Sequence, residues 1–146
     1  MRSQTPRFGL VASRFNREIT QLLLQGALSA LKKRHCPVRQ IDLLWVPGAF
    51  ELPVAALRMA RSRRYQAVVA VGCIIEGETP HWKYLSQATL QGLALASVLS
   101  GVPVTCGVVT ARRWEEAVAR AQEKGLNRGR DAAEAAWNLV QALKGL

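Results

Sequence analysis

Between residues 72 and 81 the chain reads Gly-Cys-Ile-Ile-Glu-Gly-Glu-Thr-Pro-His, an apolar run that passes through a short polar turn into the start of a helix. Thr79 is a good N-cap and Pro80 suits a first helical turn. The unpaired N–H groups of such a helix start, at the positive end of its dipole, cradle a phosphate. His81 then stands close beside the anion. The same dipole opposes a second positive charge there, so a neutral imidazole is available for proton transfer near pH 7. The spacing predicts an anion site with a proton-transfer histidine next to it.

Other residues have competing readings. A loop Phe such as Phe15 or Phe50 is ordinarily a core plug, but two of them at strand ends raise the case for stacking on a ligand. Glu51 follows Phe50 at a helix start, where a first-turn acid complements the dipole. His35, among Lys32, Lys33 and Arg34 at a helix end, reads as an exposed cation and not as a catalyst. Arg120 lies at the edge of an amphipathic stripe and Arg128 in a break between helices. Solvated surface is the ordinary reading of both, and spacing alone assigns them no role.

These residues need elements to position them. Four apolar runs, Phe8 to Ala12, Ile41 to Val46, Ala67 to Cys73 and Val102 to Val109, read as buried strands of a parallel sheet covered on both faces. Helical stripes lie between them. Ile19, Leu22, Leu23, Ala27, Ala30 and Leu31 form one, and Leu85, Ala88, Gly92, Leu95, Ala96 and Leu99 another. After the fourth strand, Trp114, Ala117, Val118 and Ala121 give a short helix. Lys124 to Gly129 make a break, and Ala133, Ala136, Trp137, Val140 and Leu143 a last helix.

The order β-α-β-α-β-α-β-α-α with short connections predicts an α/β fold with right-handed crossovers. It is a three-layer α/β/α sandwich on a four-stranded parallel sheet, flavodoxin-like, in one domain over residues 1–146. In such sheets ligands bind beyond the carboxyl ends of the strands. That rule selects Ser13 to Asn16, Pro47 to Glu51, Glu76 to His81 and Thr110 to Arg113.

Composition sets outer bounds. The chain has 146 residues, 49% of them hydrophobic, enough for one well-buried core. No run reaches the length of a membrane span, and Met1 to Pro6 carry no apolar leader. Cys36, Cys73 and Cys106 show neither disulfide nor zinc spacing. A cytoplasmic protein with reduced thiols is expected. The net charge of +10 points to an anionic partner without naming one. Lys32 to Arg34, Arg58 to Arg64 and Arg112-Arg113 hold much of it, and the dipole at helix C-termini accounts for the first two clusters. No glycine-rich dinucleotide turn follows the first strand and no phosphate loop occurs. The third strand does not end in the aspartate of a response regulator.

Taken together, Ala12-Ser13-Arg14-Phe15-Asn16, Val46-Pro47-Gly48-Ala49-Phe50-Glu51-Leu52-Pro53, the 72–81 segment and Asn127-Arg128-Gly129 closely resemble the 6,7-dimethyl-8-ribityllumazine synthase family of riboflavin biosynthesis. The resemblance covers nearly the whole chain. It implies a transferase that condenses 5-amino-6-(D-ribitylamino)uracil with 3,4-dihydroxy-2-butanone 4-phosphate, releasing phosphate and water, with no metal or organic cofactor.

By position in the family, Phe15 stacks on the pyrimidine, Ala49, Phe50 and Glu51 hold the ribitylamine, and Cys73, Ile74 and Ile75 line the same pocket. Glu78, Thr79 and Arg120 bind the butanone phosphate, and His81 moves protons. The family's site lies between subunits, so Cys106, Arg120 and Arg128 face a pocket whose Phe15, Phe50 and His81 belong to the adjacent chain. Small-molecule substrates, a homopentamer, a hollow shell of 60 chains and a functional link to riboflavin synthase follow from the resemblance. Neither a membrane nor a nucleic acid is expected. The break at Lys124 to Gly129 carries no insertion, which favours the shell.

Departures from the family pattern are Cys106 in place of Phe, Arg128 in place of Lys, and Glu76 where a basic residue is common. Thr110 to Arg113 lacks the usual second threonine and acid, and Gln122 to Leu126 lacks the family's usual glycine. With the +10 charge, the changes at Cys106 and Arg112 motivate one alternative, a non-catalytic shell-forming or nucleic-acid-associated protein on the same fold.

Overall fold

The computed structural model describes residues 5–146; the reading of Met1 to Gln4 as lacking an apolar leader lies outside them. Strands β1 (Phe8–Ser13), β2 (Ile41–Val46), β3 (Ala67–Ile75) and β4 (Val104–Ala111) form one parallel sheet in the order β2-β1-β3-β4. Helices α1 (Arg17–Lys33), α2 (Leu52–Arg61), α3 (His81–Ser100), α4 (Trp114–Ala119) and α5 (Arg128–Leu143) alternate with them or follow them. The expected α/β sandwich is present. No helix among the described residues is long and apolar enough to cross a membrane.

The period of two in a strand divides the core between the sheet's faces. Phe8, Leu10 and Ala12 of β1, with Val69, Val71 and Cys73 of β3, pack against α1, α4 and α5. Val11, Val68, Ala70 and Ile74 point the other way, to α2 and α3. This explains the near-continuous apolar runs, but only for the central pair. β2 and β4 are edge strands and only partly buried, with Leu43 and Leu44 each 43% exposed. β3 also extends two residues beyond the expected Cys73, and β4 begins and ends two residues later than expected.

Helix α1 buries the face its stripe predicts except for half-buried Leu22, with Thr20 and Leu24 added. Helix α3 does not. Its buried residues are Thr89, Leu93 and Ala96, while Ala88 is exposed and Leu95 and Leu99 are 56% and 61% exposed. This helix is apolar on more than one side, so periodicity could not select the face that meets the sheet. Tyr84, Leu90 and Val98 add to the uncovered side.

Helix α5 starts within the expected break because buried Asn127 caps it. The Asn127 Oδ1 accepts from the Arg130 N–H at 2.9 Å, and its Nδ2 donates to the Leu22 and Gln122 carbonyls, both at 3.2 Å. At the other end of the sheet Asp42 accepts from the Tyr65 hydroxyl at 2.6 Å and from Arg7 at 2.8 Å. Those two bonds hold its carboxyl below the usual carboxylate range.

Helices α1 and α5 approach so closely that a Cβ at Gly129 would collide with the Leu23 carbonyl. Backbone cannot yield as a side-chain tip can. Gly129→Ala is therefore expected to cost about 3 kcal/mol, read as a lower denaturant midpoint. Gly77→Ala, with nothing within 4 Å of the added carbon, should stay within about 0.5 kcal/mol of the parent.

Candidate active site

At the carboxyl end of the sheet, the loops after β1, β2 and β3 enclose an open cleft of about 380 Å³. The loops are tied together by backbone bonds. The Arg14 N–H donates to the Val46 carbonyl at 2.9 Å and the Phe15 N–H to the Pro47 carbonyl at 3.1 Å. Asn16 adopts left-handed backbone (φ 57°) and its Nδ2 donates to the Cys73 carbonyl at 3.0 Å, joining the first loop to β3. Phe15 is thereby held out over the cleft, 73% exposed.

Phe50 faces the same space from the short 3-10 turn Ala49–Glu51 and is 65% exposed. Two phenyl rings in water at one cleft are not core plugs. The Glu51 carboxylate folds back over Gly48, where an added Cβ would lie 3.2 Å from its Oε2. Cys73, Ile74 and Ile75 form the floor. Burial pushes the Cys73 thiol up to about 11, so it is a protonated wall residue and not a nucleophile.

Thr79, His81 and Trp82 close the third side. Here the structure corrects the expected cap. α3 begins at His81 with Pro80 in the capping position, and no side chain caps it. The residue before a proline is pushed out of the helical region, which leaves Thr79 a step short of the helix. The Lys83 N–H is satisfied by the Pro80 carbonyl at 3.0 Å. His81 and Trp82 open the helix, with no preceding turn to accept their N–H groups. What the helix start offers an anion is therefore its free backbone N–H groups, with no Thr79 cap.

Of the expected site residues, Phe15, Ala49, Phe50, Glu51, Cys73, Ile74, Ile75, Thr79 and His81 line this cleft together. Glu78, Cys106, Arg120 and Arg128 do not. Glu78 is exposed on the turn before α3. Cys106 is exposed on the edge strand β4, while Arg120 and Arg128 meet each other after α4: the Arg128 N–H donates to the Arg120 carbonyl at 2.9 Å, and a Cβ on Gly107, on the face of the strand opposite to Cys106, would lie 3.2 Å from the Arg128 carbonyl. Arg120 bends its guanidinium onto the Glu116 carbonyl at 2.8 Å, and Arg128 lies 3.5 Å from Asp131. Thr110 to Arg113, the fourth ligand-side segment, also stays out of the cleft, with the Arg112 N–H donating to Glu116 at 3.0 Å.

Asn16, Gly48 and Gly77 fall in the ligand-side segments that sequence reasoning selected but were given no individual role, and Trp82 and Leu85 were missed among the lining residues. An Asn directly before a helix, able to take left-handed backbone, was a usable signal for Asn16. Leu85 was read as core. Among the described residues no three His, Cys, Asp or Glu side chains converge to hold a metal ion.

The geometry is thus a half-open cleft with stacking rings, a carboxylate, an anion cradle and a histidine, while two arginines stand apart on another edge. Comparison with known proteins agrees with the motif resemblance. The family model described as 6,7-dimethyl-8-ribityllumazine synthase matches residues 5–144. A relative in Caulobacter vibrioides, described as 6,7-dimethyl-8-ribityllumazine synthase 1, is 43% identical over 139 residues, covering 95% of this chain and 91% of the relative. The chain belongs to the 6,7-dimethyl-8-ribityllumazine synthase family.

Proposed function

We propose that the cleft carries out the family reaction as one half of a site shared between chains. The observation that carries this reading is the grouping of Phe15, Phe50, Glu51, Thr79 and His81 around one cleft, with Arg120 and Arg128 absent from it. The chain is an enzyme of riboflavin biosynthesis acting on small molecules; the proposal concerns how its residues divide the work.

In this reading Phe15 and Phe50 bracket the aminouracil ring, Glu51 accepts hydrogen bonds from ribityl hydroxyls, and Cys73, Ile74 and Ile75 supply apolar contact. The butanone phosphate sits at the start of α3, where backbone N–H groups and the Thr79 hydroxyl meet its oxygens. Glu78 contributes through its backbone, since its carboxylate would repel the dianion. His81, at the same helix start, relays protons during imine formation, phosphate loss and ring closure. Arg120 of a neighbouring chain neutralises the phosphate, and Cys106 and Arg128 of that chain border the pyrimidine. Holding both substrates in one pocket supplies much of the remaining acceleration.

Self-association is part of the proposal. The uncovered apolar side of α3, with Leu95, Val98 and Leu99 more than half exposed, supports a homopentamer, from which a shell of 60 chains could be built. One domain over 1–146, a cytoplasmic setting and a functional link to riboflavin synthase complete it.

Three experiments test the reading by following lumazine absorbance after mixing both substrates; a wild-type rate equal to the spontaneous one would reject it. His81→Ala should lower kcat by about 10²-fold with KM little changed. Arg120→Ala should instead raise KM for the butanone phosphate about 10- to 100-fold, the loss of one charge-assisted contact. When the two variant chains are unfolded and refolded together, about a quarter of shared interfaces pair an intact cleft with an intact Arg120. At butanone phosphate concentrations well below the raised KM, activity above either variant alone is expected. A mixture no better than its components would mean that each chain holds a whole site.

A further inference from the structure

The +10 net charge is concentrated at one end of the molecule. In a parallel sheet the crossover helices run back against the strands, so helix C-termini and strand N-termini share the end opposite the cleft. There α1 closes on Lys32, Lys33 and Arg34, and α2 on Arg58 and Arg61. Arg63 and Arg64 occupy the turn that follows, Arg7 and Arg39 precede β1 and β2, and Lys144 follows α5. Asp42 is the only Asp or Glu at this end among the described residues, and Arg7, Arg64 and Tyr65 already engage it. The chain has 20 Lys and Arg against 10 Asp and Glu. Apart from this end and Arg2 the two signs are equal in number, so the cleft end is balanced and the opposite end holds the excess.

Helix dipoles explain cations in the last turns of α1 and α2. They do not explain Arg7, Arg39 or Arg63, or the lack of carboxylates among them. Like charges crowded this way repel one another and destabilise the fold. The backbone adds a second cost. Just past α1 and α2, His35 and Arg63 hold left-handed conformations, each with φ 60°, where glycine is the favoured residue. After α1 the turn is closed by the Cys36 N–H on the Leu31 carbonyl at 3.0 Å and the His35 N–H on the Lys32 carbonyl at 2.9 Å.

We propose that this end is a docking surface for the phosphate backbone of a single-stranded RNA, separate from the catalytic cleft. A protein partner would have to present a complementary negative patch in fixed register. A field of one sign suits a uniform polyanion instead. Most of its members are Arg, whose planar fork meets phosphate oxygens in pairs. Arg58, Arg61, Arg63 and Arg64 are exposed on adjacent turns and form its centre.

The test uses the full-length assembled protein and a fluorescein-labelled single-stranded RNA of about 20 nucleotides, followed by anisotropy across a salt titration. Log affinity should fall linearly with log salt, with a slope of about −0.7 per phosphate neutralised. Replacing Arg58, Arg61, Arg63 and Arg64 together by Ser should weaken binding at least about ten-fold, flatten the slope by about 3 units, and leave the lumazine-forming rate unchanged. Arg63→Gly guards against misfolding: it should raise the thermal midpoint by relieving the left-handed strain, yet weaken RNA binding. Three results would overturn the proposal: no RNA binding at low salt, an unchanged slope in the fourfold variant, or poly-glutamate of matched length displacing RNA at equal concentration.

Discussion

The pairing of β1 with β3 is the constraint on which everything else depends. These strands are not consecutive, yet Phe8 to Ala12 lie in register beside Ala67 to Val71 at the centre of the sheet. The chain must leave β1 towards β2 on one side and then cross over to β3 on the other. Loops at that junction diverge, and divergence makes a crevice. Asn16 spans its root by bonding the Cys73 carbonyl. Phe15, Phe50 and His81 are far apart in sequence; the crossover makes them neighbours.

The cleft is built of unequal materials. Its floor is the rigid end of β3, whose residues through Ile74 are buried, while its walls are short turns held by a few backbone bonds. Rigid floor and adjustable rim suit a ligand that must be gripped, react and leave. In the proposed reading the cradle at α3 is mostly main chain, so it tolerates side-chain change better than a site made of arginines. In the proposed reading the charge that neutralises the dianion comes from Arg120, which lies outside the cleft of its own chain.

How much of this could be read in the sequence varied with the physics involved. β1 and β3 were legible because burial on both faces leaves a continuous apolar run, and β2 was bounded correctly although its exposure was not foreseen. An edge strand with an apolar sequence looks central. The face of α3 was misread for the same reason: Leu95 and Leu99 have the periodicity of core residues and do not meet this core. The cleft residues were named from motifs, and nine of them converge on one cavity. Trp82 was missed since a Trp at an ordinary helix start has no signal of its own, and Gly77 was quoted within a motif but given no role. Gly129 was quoted as part of a motif, but only packing shows why no side chain fits there.

The uncovered side of α3 has a temporal consequence. A newly made chain presents Leu95, Val98 and Leu99 to water as soon as it folds, and no internal rearrangement can hide them, since the helix is already fixed by Thr89, Leu93 and Ala96. Encounter with another surface is then a race between orderly contact and sticking at random. Under the proposed self-association, covering of this face is second order in chain concentration: scarce chains wait longest in the vulnerable form, and abundant ones leave it soonest.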